Sequence, residues 1–114
     1  MPHKLMVVLF EDHVAPRFDQ ATEVLLVDGG TGDRPADKRV LILPHPSAEQ
    51  LCHLIITEGV KTVICGGIEE EYYDYLTWKK VDVIDSVIGL GQQALDRFQR
   101  QTLRSGDVIK EGFR

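Results

Sequence analysis

Cys65 ends a short β-branched run, Lys61-Thr62-Val63-Ile64-Cys65, and is followed by Gly66-Gly67 and an acidic stretch, Glu69-Glu70-Glu71. A thiol at a strand end beside a helix N-terminus gains thiolate character, and thiolates ligate soft metals and iron–sulfur clusters. His13 lies in a polar stretch after the first apolar run and can add an imidazole, so Cys65 and His13 are the candidate metal ligands. Arg17, four residues further on, cannot ligate a metal, but its planar fork can make paired hydrogen bonds to a carboxylate, a phosphate or another anion. Gly66, Gly67, Gly89 and Gly91 come directly before expected helix starts, where backbone N–H groups and the helix dipole hold anions. His13, Arg17, Cys65 and these four glycines make up the candidate cofactor-binding site.

Each of these residues also has a plainer reading. Cys65 can be a small hydrophobe closing a buried strand, His13 a solvated loop histidine, and Arg17 half of a surface ion pair with Asp12 or Asp19. The glycines can serve backbone geometry alone. Cys52 falls on an apolar helix face and reads as core, with His53 projecting off that face. His45 sits between Pro44 and Pro46, and an antiparallel third strand would carry it to the edge of the sheet away from the site.

Signals for catalysis are sparse. No serine sits in a nucleophile elbow, no His-x-x-x-His places two ligands on a helix, and no carboxylate cluster resembles a two-metal nuclease site. Gly-Gly-Ile-Glu-Glu-Glu carries the opposite charge from the Lys-Ser/Thr that a phosphate-binding loop needs. Asp12 and Asp85 are the one pair of acids that the loops could bring together. The expectation is a binding protein, not an enzyme.

The elements that must position these residues follow from pattern. Residues 4–10 form an apolar run of strand length with no polar face, as in a strand buried on both sides of a sheet. A polar loop, 11–20, is broken by Pro16. Glu23-Val24-Leu25-Leu26-Val27-Asp28 and Val40-Leu41-Ile42-Leu43 read as two further strands joined in a hairpin by the turn-forming residues 29–38. Ser47 then caps a helix with Ala48, Leu51, Cys52 and Ile55 on one face and Gly59 as its stop. A strand at 61–65, a helix after Glu69, a strand at 81–84 and a last helix from Gly91 complete the order β-β-β-α-β-α-β-α. Residues 104–114 read as a polar tail. That order predicts an α/β domain, with one mixed five-stranded sheet and helices on its faces. Ligands of open α/β sheets bind beyond the carboxyl ends of the strands, so segments 11–19, 65–69 and 86–91 should meet at the site.

Composition narrows the classes. The 114 residues suit one domain, 43% hydrophobic and 27% charged, with no apolar stretch long enough to span a membrane and no signal-like start, which points to the cytoplasm. A formal charge of -5 with scattered Lys and Arg argues against a nucleic-acid partner. Two cysteines are too few for a disulfide framework.

Two segments carry a family resemblance. Val14-Ala15-Pro16-Arg17-Phe18 after a short first strand, and Glu58-Gly59-Val60-Lys61-Thr62-Val63-Ile64-Cys65-Gly66-Gly67-Ile68, resemble the landmark segments of the dinitrogenase iron–molybdenum cofactor biosynthesis and carrier family. The pattern spans nearly the whole chain. The resemblance implies a ribonuclease-H-like fold without nuclease activity. It also implies transient binding of an iron–molybdenum or other iron–sulfur or molybdenum cluster, with cofactor-assembly proteins as partners. Many members have His-Phe-Gly where this chain has Arg17-Phe18-Asp19, and a richer glycine and histidine turn where it has Pro44-His45-Pro46-Ser47. In place of a ligating histidine, Arg17 implies contact with the anionic cluster or with a carboxylate such as homocitrate. A metal-free module on the same fold, recognising a small anion or a protein partner, is the alternative.

Overall fold

The structure is a computed structural model that describes residues 4–29 and 37–109. Its centre is β1 (Lys4–Phe10), buried from Leu5 to Leu9 because its side chains alternate into two apolar layers and both layers are covered. A two-residue strand, β2 (His13–Val14), folds back on β1 through a tight turn at Glu11-Asp12, where Glu11 has φ 57°. Antiparallel β3 (Glu23–Asp28) and β4 (Asp37–Ile42) extend the sheet on one side of β1. Parallel β5 (Thr62–Ile64) and β6 (Asp82–Ile84) extend it on the other.

The resulting order, β4-β3-β1-β5-β6 with β2 off the path, is the mixed α/β sheet expected, with one short strand more than the pattern predicted. Two residues are too few to leave a periodic signal. The hairpin turn between β3 and β4 includes residues 30–36, which lie outside the described residues.

Helices α1 (Ala48–Thr57) and α2 (Glu70–Trp78) cover one face. There Leu51, Ile55 and Leu76 pack on Met6, Val8, Val24, Leu26 and Val63. The Ser47 hydroxyl accepts from the Gln50 backbone N–H and caps α1 as expected. Helix α3 (Gly91–Gln99) lays Ala94 and Leu95 on the other face, against Leu5, Val7, Leu9 and Ile64.

Two positional expectations are corrected. First, β4 does not point its carboxyl end away from the site. Two antiparallel reversals restore the direction of β1, and the register aligns Leu9, Glu23 and Ile42 across the three strands. His45, three residues beyond β4, therefore stands at the same edge as the ends of β1, β5 and β6. Second, the segment from 104 does not trail away, as far as it is described. Ile88 donates to the Asp107 carbonyl at 2.9 Å, Ile109 donates to the Ile88 carbonyl at 2.7 Å, and Ile109 is buried in the second core layer. Residues 110–114 of the expected tail lie outside the described residues.

Leu51 has no exposed surface and joins α1 to the sheet. Leu51→Ala is expected to cost about 2–5 kcal/mol of folding stability. Ser47→Ala, which removes only the cap, should cost about 1 kcal/mol. Urea unfolding monitored by circular dichroism checks both values and their order.

Candidate functional site

The carboxyl edge brings the loops together through backbone hydrogen bonds. Ala15 donates to the Val8 carbonyl at 2.8 Å and Val14 to the Gly89 carbonyl at 2.9 Å, which holds the loop after β2 between β1 and the 87–90 segment. Phe18 donates to the Gly67 carbonyl and Gly67 to the Pro16 carbonyl, each at 2.7 Å, so residues 16–18 run as a short ladder beside the 65–67 turn. This pins Phe18 into the first core layer and leaves Arg17 outside it.

Between this ladder and the start of α2 lies an open pocket of about 250 Å³. Phe18, Ile68 and Tyr72 give it apolar walls, with the rings of Phe18 and Tyr72 6.2 Å apart. Arg17, Asp19 and Glu69 stand at its polar side. Arg17 turns its fork onto Asp19, with Nε to Oδ1 at 3.1 Å and Nη2 to Oδ2 at 3.0 Å. Both groups are solvent-accessible, so the pair is held weakly and water or a competing anion can open it. The ion-pair reading of Arg17 and the anion-contact reading are therefore compatible.

The glycines serve mainly to let backbone approach backbone. A side chain on Gly66 would overlap the carbonyl oxygens of Ala15 and Pro16, and one on Gly89 would come within 2.7 Å of the Ile109 Cβ. A methyl on Gly91 would meet Leu9 Cδ2 at 2.5 Å. Gly67 alone has room, with its nearest contact at 3.4 Å. The amides of Gly67 and Gly91 are already committed, to the carbonyls of Pro16 and Asp12. Glu69, Glu70 and Glu71 also crowd the first turn of α2. The expected anion cradle at these turns is corrected on those grounds, at Gly67 and Gly91 in particular.

Cys65 is corrected as well. It has no exposed surface, it packs in the first core layer, and burial followed by the nearby Asp85 carboxylate pushes its thiol from 9.0 up to about 12. Burial therefore works against the thiolate expected beside a helix N-terminus, and the side chain packs as a small apolar group in the core layer. Cys52 behaves alike, pushed up to about 11 by burial and Glu49. His13 is exposed opposite Phe10 on β2 and bridges to Leu90, so it reaches the edge that Cys65 does not. Among the described residues, no three His, Cys, Asp or Glu side chains are grouped to hold a metal ion. Asp85 accepts from the Ser86 hydroxyl, and Asp12 lies in the β1–β2 turn.

Sequence reasoning missed Tyr72 as a pocket residue, placed Ile68 and Asp19 in the site segments without giving them a role there, and set His45 at the wrong edge. Asp19, two residues from Arg17, was the recoverable signal, and a meander's third strand always regains the direction of its first.

Fold and pocket together define a small α/β protein with an open pocket at the carboxyl edge of a mixed sheet. Several solved proteins have a similar fold, among them these three. One, from Methanocaldococcus jannaschii, is provisionally assigned as a dinitrogenase, with TM-score 0.69 and 20% identity over 90% of this chain and 93% of that one. Another, from Thermotoga, is provisionally assigned as a NifB protein, with TM-score 0.69 and 19% identity over 96% and 99%. The third is the apo form of the orange protein from Desulfovibrio gigas, with TM-score 0.72 and 19% identity over 92% and 93%. No known family profile and no curated protein sequence matches the chain.

Gly66→Ala should cost about 1–3 kcal/mol and loosen the 15–18 loop, read as lower urea stability together with faster amide exchange at Phe18 and Gly67. Cys65 should resist iodoacetamide in the native protein at neutral pH and react fully once unfolded, as mass spectrometry of the labelled peptide would show. Because folding raises the Cys65 pKa, the stability gained from keeping it neutral is complete below about 9.0. That stability should fall as pH rises from there toward about 12. Loss of stability in that window, reduced in Cys65→Val, checks the sign.

Proposed function

We propose that this protein is a carrier for an anionic, metal-containing cofactor species, not an enzyme, and that the pocket beside Arg17 holds the cargo. The single observation that carries the proposal is the arrangement of that pocket. An arginine fork, held only by an exposed ion pair, stands over the apolar walls made by Phe18, Ile68 and Tyr72, at the sheet edge where α/β folds bind ligands. Arg17 can release Asp19 and make paired, charge-assisted hydrogen bonds to an anionic face, while the ring and aliphatic surfaces pack against the rest of the cargo. The names of the solved proteins of this fold, two of them given provisionally as dinitrogenase and NifB and the third the orange protein, support a cofactor-related role.

The residues do not fit direct ligation by Cys65, which is buried and neutral. The cargo is therefore held from outside, through charge and surface contact, and can be handed on without breaking a metal–thiolate bond. Exposed His13 and His45 at the same edge are the side chains that could touch it in addition. The buried thiol also favours a second reading, in which the pocket takes a metal-free organic anion.

Anaerobic titration of the protein with molybdate, with molybdenum-containing and iron–sulfur clusters, and with citrate separates these readings. Carriage predicts saturable binding of a cluster, seen by visible absorption. It should be weakened roughly tenfold or more in Arg17→Ala, since hydrogen bonds to charged groups contribute about 1.5–3 kcal/mol, and little changed in Cys65→Val. Binding of citrate alone would establish the metal-free reading, and cluster binding lost in Cys65→Val but kept in Arg17→Ala would overturn the Arg17 pocket.

A further inference from the structure

Strand β4 ends the sheet, and among the described residues nothing pairs with its outer edge. Its side chains divide sharply between the faces. Leu41 packs against the first core, whereas Val40 is 57% exposed and Ile42 77% exposed on the opposite face. On that opposite face Leu25 and Val27 of β3 are buried in the layer that also holds Ala94 and Leu95 of α3, whereas Val40 and Ile42 of β4 stand exposed beyond it. The result is a groove floored by Leu25 and Val40 and bordered by Glu23. An unpaired six-residue edge with two exposed β-branched residues is a template for another strand.

We propose that this edge is the interface for a second copy of the chain, with β4 pairing antiparallel with β4 of the partner about a two-fold axis at Val40. The strand's own hydrogen bonding selects the centre. Leu43 donates inward to the Thr22 carbonyl. By antiparallel alternation the odd-numbered residues of β4 bond to β3, and Lys38, Val40 and Ile42 turn their N–H and C=O groups outward. A two-fold at Val40 pairs Val40 with its own copy and Lys38 with Ile42 in both directions, which uses every outward residue of the strand. Shifting the centre to Leu41 would set Lys38 opposite Pro44, which has no N–H to give.

Charge supports the same register. Lys38, Val40 and Ile42 share a face with Glu23, which pairs with Ile42 across β3 and β4. In the dimer Ile42 lies between Glu23 of its own chain and Lys38 of the other copy. The two charged residues are then two strand spacings apart, about 10 Å between backbones, so a lysine and a glutamate side chain can meet over Ile42. Among the described residues neither Lys38 nor Glu23 has an ion-pair partner within one chain. Two such contacts form per dimer, one on each side of the axis. A single strand edge buries less than the roughly 800 Å² per partner of a standard stable interface, so the dimer should be weak and concentration-dependent.

Sedimentation velocity over a wide concentration range tests the proposal, with hydrogen exchange as a second readout. The expected result is reversible dimerisation, with exchange at Lys38, Val40 and Ile42 slowing as concentration rises while Arg39 and Leu41 stay unchanged. Val40→Lys, at an exposed position, should leave folding intact by circular dichroism and abolish the dimer. Lys38→Glu should weaken it by placing like charges together, and the Lys38→Glu/Glu23→Lys double variant should restore it. A monomer at every concentration, or a dimer indifferent to Val40→Lys, would overturn the proposal.

Discussion

The close approach of the Ala15–Pro16 backbone to Gly66 is the constraint on which the rest of this edge depends. Because Gly66 has no side chain, two loops about fifty residues apart in sequence lie in contact, and the bonds linking Gly67 to Pro16 and Phe18 become possible. Those bonds set the direction of the next three side chains. Phe18 goes inward, and Arg17 and Asp19 go outward, so the pocket's apolar wall and its charged rim follow from one backbone contact. The contact also seals the end of β5, which leaves Cys65 with no exposed surface.

That burial decides the electrostatics. A thiol near a helix start is favoured as thiolate by the helix dipole by about 0.3–1 kcal/mol. Against it stand desolvation by burial first and the Asp85 carboxylate second, which together push the thiol from 9.0 up to about 12. Desolvation outweighs the dipole, and Glu70 and Glu71 in the first turn of α2 set negative charge against the helix start. Proximity to a helix start is therefore a poor guide to thiolate character when the chain has closed over the sulfur. The positive charge available at the pocket is instead that of Arg17, whose fork lies on Asp19 at the exposed rim.

Much of the fold was legible in the sequence because long elements leave long patterns. The seven-residue run of β1, the second strand at Glu23–Asp28 and the Ser47 cap with Ala48, Leu51, Cys52 and Ile55 are all as the periodicity implies. What escaped notice was relational. The β2 strand is too short to show a pattern, and the direction of β4 needed two turns to be followed in succession. The burial of Cys65 depended on a loop fifty residues away. The site was legible in the same measure. Arg17 and the 65–69 turn were found from residue type and local order, but Tyr72 entered the pocket only through the packing of α2 against Phe18. The glycines were expected to bring backbone N–H groups up to an anion, whereas at Gly66, Gly89 and Gly91 what comes close is this chain's own backbone and side chains.

The distribution of helices links the pocket to the open edge of the sheet. Two helices lie on one face and one on the other, and α3 begins at Gly91 beside Leu9 and Asp12 before crossing β1. Since β1 and β4 run in the same direction, a two-fold axis through β4 would reverse the second sheet and place its carboxyl edge at the far side of the assembly. The two Arg17 pockets would then face opposite ways, each still two strands removed from the joined edges by the intervening β3. Such an assembly would cover Val40 and Ile42 without occluding either pocket, and neither Arg17 nor Asp19 would change its partner. Joining the sheets and loading the pockets are in that geometry independent events. The same fold can therefore carry an interface at one end of its sheet and a ligand at another without trading one for the other.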